Sequence, residues 1–272
     1  MTLNTKRSSR MNSPQLYYYD LGEGVTAFST TRHGGVSQGN YGSFNINPYC
    51  GDDTEHVACN CKLLADSLNI PTSHIILPHQ VHGIEHRTIA PELFSMSGDV
   101  RNRILDGVDI VTTAMTGVCI GVSTADCIPI LLYDPTTRTT AAIHAGWRGT
   151  VAGISAKTID IMKQKYGVNP ANLRAVIGPG ISLRNFEVGD EVYDKFAEAG
   201  FDMPSVSRRY AKWHIDLWEC NRQTLLHCGL KDKNIHIERI CTYDNTDKLF
   251  SARVEQTGIE KCGRNFNAIM TK

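Results

Sequence analysis

The order of apolar and polar positions predicts a chain of short strands interspersed with longer helices. Runs of β-branched and other apolar residues that end at Gly, Asp or Pro are typical of strands. We predict such strands at residues 25–31, 74–89, 107–113, 118–124, 128–134, 140–145 and 173–178. A strand pattern this frequent predicts either one large mixed sheet or a pair of sheets.

Helical spacing of apolar residues appears in three further segments. It covers residues 54–68, residues 151–166, where Gly167 ends the pattern, and the segment "DLWECNRQTLLHCG" at 216–229. Strands together with helices indicate an α/β or α+β fold. Cys61, Cys220 and Cys228 lie on the apolar stripes of these helices, so we interpret them as packing residues, because a free cysteine behaves as a small hydrophobe.

Length and charge narrow the class of protein. The chain has 272 residues, with 28 basic and 28 acidic side chains. We predict a flexible tail at residues 1–14 and a single domain at 15–272, because no linker or repeat interrupts the remainder. The charge balance favours small-molecule partners and argues against nucleic-acid or membrane binding. Without a long apolar run, we expect a cytoplasmic protein with no membrane span or secretory leader.

Three polar residues interrupt or end apolar strands, namely His82, Cys127 and His144. Two imidazoles and one thiolate suit zinc and leave a fourth tetrahedral position for water or substrate. The spacing does not match a compact metal motif, and His79 is an alternative ligand to His82. If residues 74–89 form a strand, only one of these two histidines can face the site.

The same residues also fit a different chemistry. Cys127 could be a thiolate nucleophile that His144 activates, with Asp126 or another oxygen acceptor orienting the imidazole ring. The protein would then be a cysteine hydrolase or deamidase. Three arginines, Arg32, Arg148 and Arg253, are candidates for binding an anion.

Eight segments, in this order, resemble one known family from about Val25 to the carboxyl terminus. They are "TTRHGGVS", "NYGSFNIN", "HQVHG", "DGVDIVTT", "TADCIPILLYDP", "AAIHAGWRGT", "FEVGDEV" and "FSAR". The family has long been called multicopper polyphenol oxidoreductase or laccase. Its members are now described as purine nucleoside phosphorylases with adenosine deaminase and methylthioadenosine phosphorylase activities.

The resemblance implies a fold, a metal and an activity. The implied fold is an α+β domain with four layers, α/β/β/α, and mixed sheets. The implied metal is zinc on His82, Cys127 and His144, which selects His82 over His79. The implied reaction is phosphorolysis of adenosine, inosine or methylthioadenosine, with adenosine deamination as a side activity.

The resemblance also suggests roles for individual residues. Cys127, His144 and Arg253 would be catalytic, with Arg253 holding phosphate. The predicted substrate contacts are Arg32, Asn45, Gln80 and Arg148.

Two alternative functions accompany the family. One is hydrolysis of a peptidoglycan precursor, for which the protein would be a cysteine or zinc hydrolase. The other is oxidation of phenols with copper. Gly180 and Phe186 stand where family members often carry cysteines, and contiguous Cys/His clusters are missing, so copper oxidation is disfavoured.

Overall fold

The computed structural model describes residues 13–258 and 261–272. The predicted tail therefore lies outside the described residues except for positions 13 and 14. Within the described ranges, the α-helices are α1 (Thr54–Leu68), α2 (Gly98–Ile104), α3 (Trp147–Val151), α4 (Ile154–Tyr166), α5 (Asp190–Glu198), α6 (Met203–Val206) and α7 (Leu217–His227). None of these helices has the length and apolar character needed to cross a membrane.

The strands of the described residues form three sheets. In chain order they are β1 (Leu16–Tyr19), β2 (Val25–Thr30), β3 (Ile75–Ile76), β4 (His86–Thr88), β5 (Ile110–Thr113), β6 (Cys119–Thr124), β7 (Ile128–Asp134), β8 (Thr139–Ala145), β9 (Arg174–Ile177), β10 (Glu187–Val188), β11 (Ser207–Arg209), β12 (Trp213–Ile215), β13 (Ile235–Ile237) and β14 (Asn265–Thr271). One sheet has the order β1-β2-β14-β6-β3, another β13-β9-β7-β8-β5-β4, and a small one β10-β12-β11. The two large sheets are mixed, because each contains parallel and antiparallel pairs.

The two large sheets pack face to face. Side chains such as Ile120 of β6 and Leu131 of β7 meet in one buried cluster between them. The outer face of the five-stranded sheet packs against α1 through Leu64. The outer face of the six-stranded sheet packs against α4 and α7, through residues such as Ile159 and Leu225. The sequence of layers is therefore α/β/β/α, as expected.

Most of the predicted elements are present. The helix predicted at 54–68 has those bounds, and the Asp53 side chain accepts hydrogen bonds from the first-turn backbone N–H groups of Glu55 and His56. The pattern at 151–166 is divided between α3 and α4, because Gly153 takes a left-handed conformation with φ 74°. Gly167 ends α4 in the same conformation.

The prediction of a strand throughout residues 74–89 was wrong. The structure has only β3 and β4 at the two ends of this segment, with a turn between them in which His82 has φ 62°. A positive φ is incompatible with a strand. Consequently, the argument that His79 and His82 must face opposite sides does not apply.

Candidate metal centre

Cys127 and His144 are brought together by the pairing of β7 with β8. The two strands are antiparallel, and Pro129 at the start of β7 lies opposite His144 near the end of β8. Cys127 directly precedes β7, so its side chain lies at the same end of the six-stranded sheet. His144 is thereby held on a regular strand, and Cys127 lies in the bend that leads directly into one, which favours a fixed geometry.

Asp109 connects His144 to the turn that carries His82. His144 Nδ1 donates to Asp109 Oδ1 over 2.7 Å, and the same carboxylate accepts the backbone N–H groups of Val81, His82 and Gly83 over 3.3, 3.1 and 2.8 Å. The Asp109 side chain is fully buried. One carboxylate thus orients one imidazole ring and fixes the turn that holds the other, as carboxylates behind metal-binding histidines commonly do.

The three predicted ligands lie within reach of one metal ion. Their ligand atoms, one from each of His82, Cys127 and His144, are all within 4.8 Å of one another. Gly146 allows this close approach, since a Cβ there would lie 3.0 Å from Cys127 Sγ and 3.2 Å from a ring carbon of His82. His144 is buried, Cys127 is half-buried and His82 is exposed, so the cluster is open to solvent on the His82 side.

The two imidazoles favour the thiolate form of Cys127. Burial by itself would raise the pKa of this thiol, but the charge and hydrogen bonds of His144 and His82 outweigh burial and lower it to about 6. Burial alone would conversely lower the pKa of His144, yet Cys127 and Asp109 raise it to about 9. Each of these two groups therefore favours the charged form of the other.

Residues behind Cys127 fix the turn from which it projects. Asp126 has φ 90°, and its carboxylate accepts hydrogen bonds from Thr242 Oγ1 over 2.5 Å and from the Arg253 backbone N–H over 2.6 Å. Gly180 lies against this turn, because a Cβ there would be 3.0 Å from the Asp126 carbonyl oxygen. Asp126 therefore holds backbone segments together and does not bond the His144 ring, which Asp109 orients instead.

The cluster opens into a pocket of about 200 Å³. The residues lining it are Asn47, Tyr49, Cys50, His79, Gln80, His82, Ser123, Ala125, Cys127, His144, Ala252 and Arg264. Among the described residues, the buried Ser123 hydroxyl has no hydrogen-bond partner.

Two of the predicted substrate contacts are engaged within the protein. Gln80 lines the pocket, but its side chain donates to the Ser123 carbonyl over 2.9 Å and accepts from the Ser123 N–H over 2.7 Å. Asn45 is fully buried and is not among the described residues that line the pocket. Its side chain bonds Asp52 and the backbone N–H of Arg264.

The three predicted arginines lie outside the pocket wall formed by the described residues. Arg32 donates to the backbone carbonyls of Gly42 and Thr246. The exposed Arg148 stacks on Trp147 at 4.3 Å. The guanidinium of Arg253 is 5.6 Å from the ring centre of Phe186, although the preceding residue, Ala252, lines the pocket.

Asp109, Tyr49 and Arg264 are among the residues of the site that sequence reasoning missed. Arg264 is the arginine in the wall of the pocket, and its guanidinium donates to the carbonyls of Cys262 and Gly263. It directly precedes β14, whose first residue, Asn265, lies opposite Thr124 at the end of β6. The useful signal would have been a basic residue directly before a buried strand. Only the pairing of β14 with β6 shows that this residue lines the same pocket as the candidate ligands.

Comparison with known proteins identifies the same family that the sequence motifs resemble. The family model described as "Multi-copper polyphenol oxidoreductase laccase" matches residues 26–272. The chain is 45% identical over 249 residues to a "Purine nucleoside phosphorylase" of Bacteroides thetaiotaomicron, covering 90% of this chain and 91% of that protein. It is 36% identical over 253 residues to "Adenosine deaminase RL5" from an unknown prokaryotic organism, covering 92% and 95%.

A solved structure shares the fold at full length. The crystal structure of the Bacillus licheniformis hypothetical protein YfiH aligns with a TM-score of 0.87 at 30% sequence identity. The alignment covers 97% of this chain and 98% of that one. Nearly the whole chain therefore has a counterpart in a known structure.

Proposed function

This chain belongs to the multi-copper polyphenol oxidoreductase laccase family, and on that basis we propose that it is a zinc-dependent purine nucleoside phosphorylase with adenosine deamination as a side activity. The observation that carries the proposal is the likeness to a purine nucleoside phosphorylase over nine-tenths of both chains. The proposed substrates are inorganic phosphate and one of adenosine, inosine or methylthioadenosine.

The donor set fits zinc. Two imidazole nitrogens and a thiolate are ligands of tetrahedral zinc, and three protein ligands leave one position open to the pocket. When bound by His82, Cys127 and His144, zinc would supply Lewis acidity at that open position. The described residues contain one such ligand cluster, whereas oxidation by several coppers requires more, so we prefer zinc to copper.

Phosphate needs a cationic partner in the pocket. Arg264 supplies a guanidinium in the wall, and a guanidinium can bind two phosphate oxygens at once. We assign Arg264 to phosphate, with Arg253 as a second cation at the edge of the pocket.

A substrate screen of the zinc-loaded protein tests the proposal. Adenosine, inosine, methylthioadenosine and a UDP-muramoyl peptide precursor are each incubated with and without phosphate, and the products are identified. We expect adenosine to give adenine and ribose 1-phosphate, at a rate that rises with phosphate concentration and then saturates. Arg264→Ala should raise the KM for phosphate by roughly 10-fold or more, since a bond to a charged group contributes about 1.5–3 kcal/mol.

Arg209→Ala is the matched control, because it removes an arginine that stacks on Trp213 and is absent from the pocket wall. Free base released equally well without phosphate would replace phosphorolysis by hydrolysis. Inosine as the sole product from adenosine would leave a deaminase. Cleavage of the muramoyl precursor alone would move the assignment to peptidoglycan precursors, and phenol oxidation by a copper-loaded form would restore the oxidase.

A further inference from the structure

A third histidine in the pocket, His79, is held in a fixed orientation that the metal cluster does not require. Its Nδ1 donates to Asp106 Oδ1 over 2.6 Å. Its backbone N–H donates to the Leu105 carbonyl over 2.9 Å, and its own carbonyl accepts the Val108 N–H over 3.1 Å. The ring and the backbone of His79 are thus both fixed by the short segment 105–108.

The remaining ring nitrogen of His79 is available to a ligand. In the described part of the chain, Nε2 has no hydrogen-bond partner, while Nδ1 is occupied by Asp106. The ring of Tyr49 covers one face of the imidazole, with ring centres 4.4 Å apart and an angle of 32° between the planes. Tyr49, His79 and the metal ligand His82 line the same pocket. A carboxylate that orients a histidine with a free second nitrogen is the arrangement of an acid or base group.

Phosphorolysis of a purine nucleoside needs such an acid. When the bond between C1′ of ribose and N9 of the base breaks, the electron pair stays on the base. The purine ring nitrogen N7 is exposed on the other side of the five-membered ring and can accept a proton, so that the base leaves as a neutral molecule. The proposed phosphate contact, Arg264, cannot serve because a guanidinium does not release its proton near neutrality.

We propose, resting on the function proposed above, that His79 is the general acid that protonates N7 of the departing purine and that Asp106 is its positioning residue. A phosphate oxygen forms the bond to C1′ as the bond from C1′ to N9 breaks. The proton on Nε2 of His79 passes to N7, while Asp106 holds the ring through its Nδ1. Monohydrogen phosphate releases its proton as ribose 1-phosphate forms, and His79 regains a proton from solvent, so charge and atoms balance.

Nucleosides methylated at N7 test this role, because their base already carries the positive charge that protonation would supply. The rates of phosphorolysis of inosine and 7-methylinosine are measured for the zinc-loaded wild type and for His79→Ala. We expect His79→Ala to lower the rate with inosine by about 100-fold or more, the usual contribution of a general acid, while the rate with 7-methylinosine changes by roughly 3-fold or less. Zinc content should be unchanged in the variant.

Two further variants separate proton transfer from structure. His79→Gln keeps a hydrogen-bond donor without a transferable proton, so it should restore only part of the inosine rate. Asp106→Asn should show the same selectivity for inosine with a smaller loss, which a purely structural role of the carboxylate would not produce. His236→Ala is the control, since His236 forms an exposed pair with Glu238 at 3.3 Å and is absent from the pocket wall. It should leave both rates unchanged.

The possible outcomes distinguish this proposal from the one on which it rests. If wild type forms no ribose 1-phosphate from either nucleoside, the proposed function fails. If wild type forms it and His79→Ala lowers both rates equally, or neither, phosphorolysis stands and the assignment of His79 is overturned.

Discussion

The two sides of the pocket are built in different ways. On one side, Cys127 and His144 stand at the ends of paired strands, and His144 is only 3% exposed. On the other side, His79 and His82 belong to the turn between β3 and β4, and His82 is exposed. On the strand side, β7 and β8 are joined by regular backbone hydrogen bonds, whereas residues 81–83 of the turn are held by the side chain of Asp109.

This difference separates two tasks within one pocket. Rigid strands hold the ligands whose geometry a metal needs. The turn is more accessible and offers groups to a molecule that enters from solvent, which is typical of functional loops on a rigid scaffold. Because one side is buried and the other is accessible, changes at the strand end and in the turn should affect zinc binding to different extents. Asp109 bonds both sides and therefore connects them.

The largest loss of zinc is expected for changes on the strand side. Cys127→Ser or His144→Ala removes a ligand that is at least half-buried, and a compensating group cannot easily enter there. Each variant should retain almost no zinc after dialysis against a weak chelator, and phosphorolysis should fall with the zinc. Elemental analysis of the purified variants measures this. Full zinc in either variant would show that the three residues do not share one ion.

A smaller loss is expected for the exposed ligand. In His82→Ala, solvent can reach the vacated position, so water can replace the imidazole as a ligand. We expect zinc affinity to fall by about 100-fold but to remain measurable by competition with a chromogenic chelator. His33→Ala, a histidine absent from the pocket wall of the described chain, serves as the control. Equal losses for His82→Ala and His144→Ala would remove the distinction between the two sides.

Asp109→Asn tests the connection between the sides. The amide has nearly the same shape but cannot accept all four donors, and it no longer stabilises the charged form of His144. Zinc affinity should fall by about 10-fold to 100-fold, as for other residues behind metal ligands. In addition, the turn at 81–83 should exchange its amide hydrogens faster. Unchanged affinity with faster exchange would confine Asp109 to shaping the turn.

The sequence predicted the strand side far better than the turn. The apolar runs around Cys127 and His144 predicted β7 and β8, because buried strands leave a strong local pattern. The segment 74–89 has a similar apolar pattern, yet its turn is set by Asp109, more than twenty residues away, which no local pattern reports. The ligand role of His82 came from the resemblance to the family, not from periodicity.

The arginine in the pocket wall was even less accessible to sequence reasoning. Three arginines in distinctive motifs were predicted as anion contacts, whereas the pocket wall contains Arg264. Its position follows from β14, a strand near the carboxyl terminus that pairs with β2 and β6 and that we did not predict. Pairing between strands so distant in sequence depends on the whole fold, so only a structure shows it.

The smallest effect on activity is expected for a change at Gln80, whose side chain connects the turn to the five-stranded sheet by hydrogen bonds. Its side chain bonds both the N–H and the carbonyl of Ser123 in β6, as a neighbouring strand would. Gln80→Ala leaves these two backbone groups without that partner, so the free energy of unfolding should fall by about 2 kcal/mol. Because the amide is already occupied, the KM for the nucleoside should change by less than about 2-fold. Urea unfolding and steady-state kinetics on the same preparation measure both quantities. A large rise in KM with unchanged stability would instead make Gln80 the substrate contact that its sequence motif suggested, and would show that its bonds to Ser123 are exchanged for bonds to the ligand.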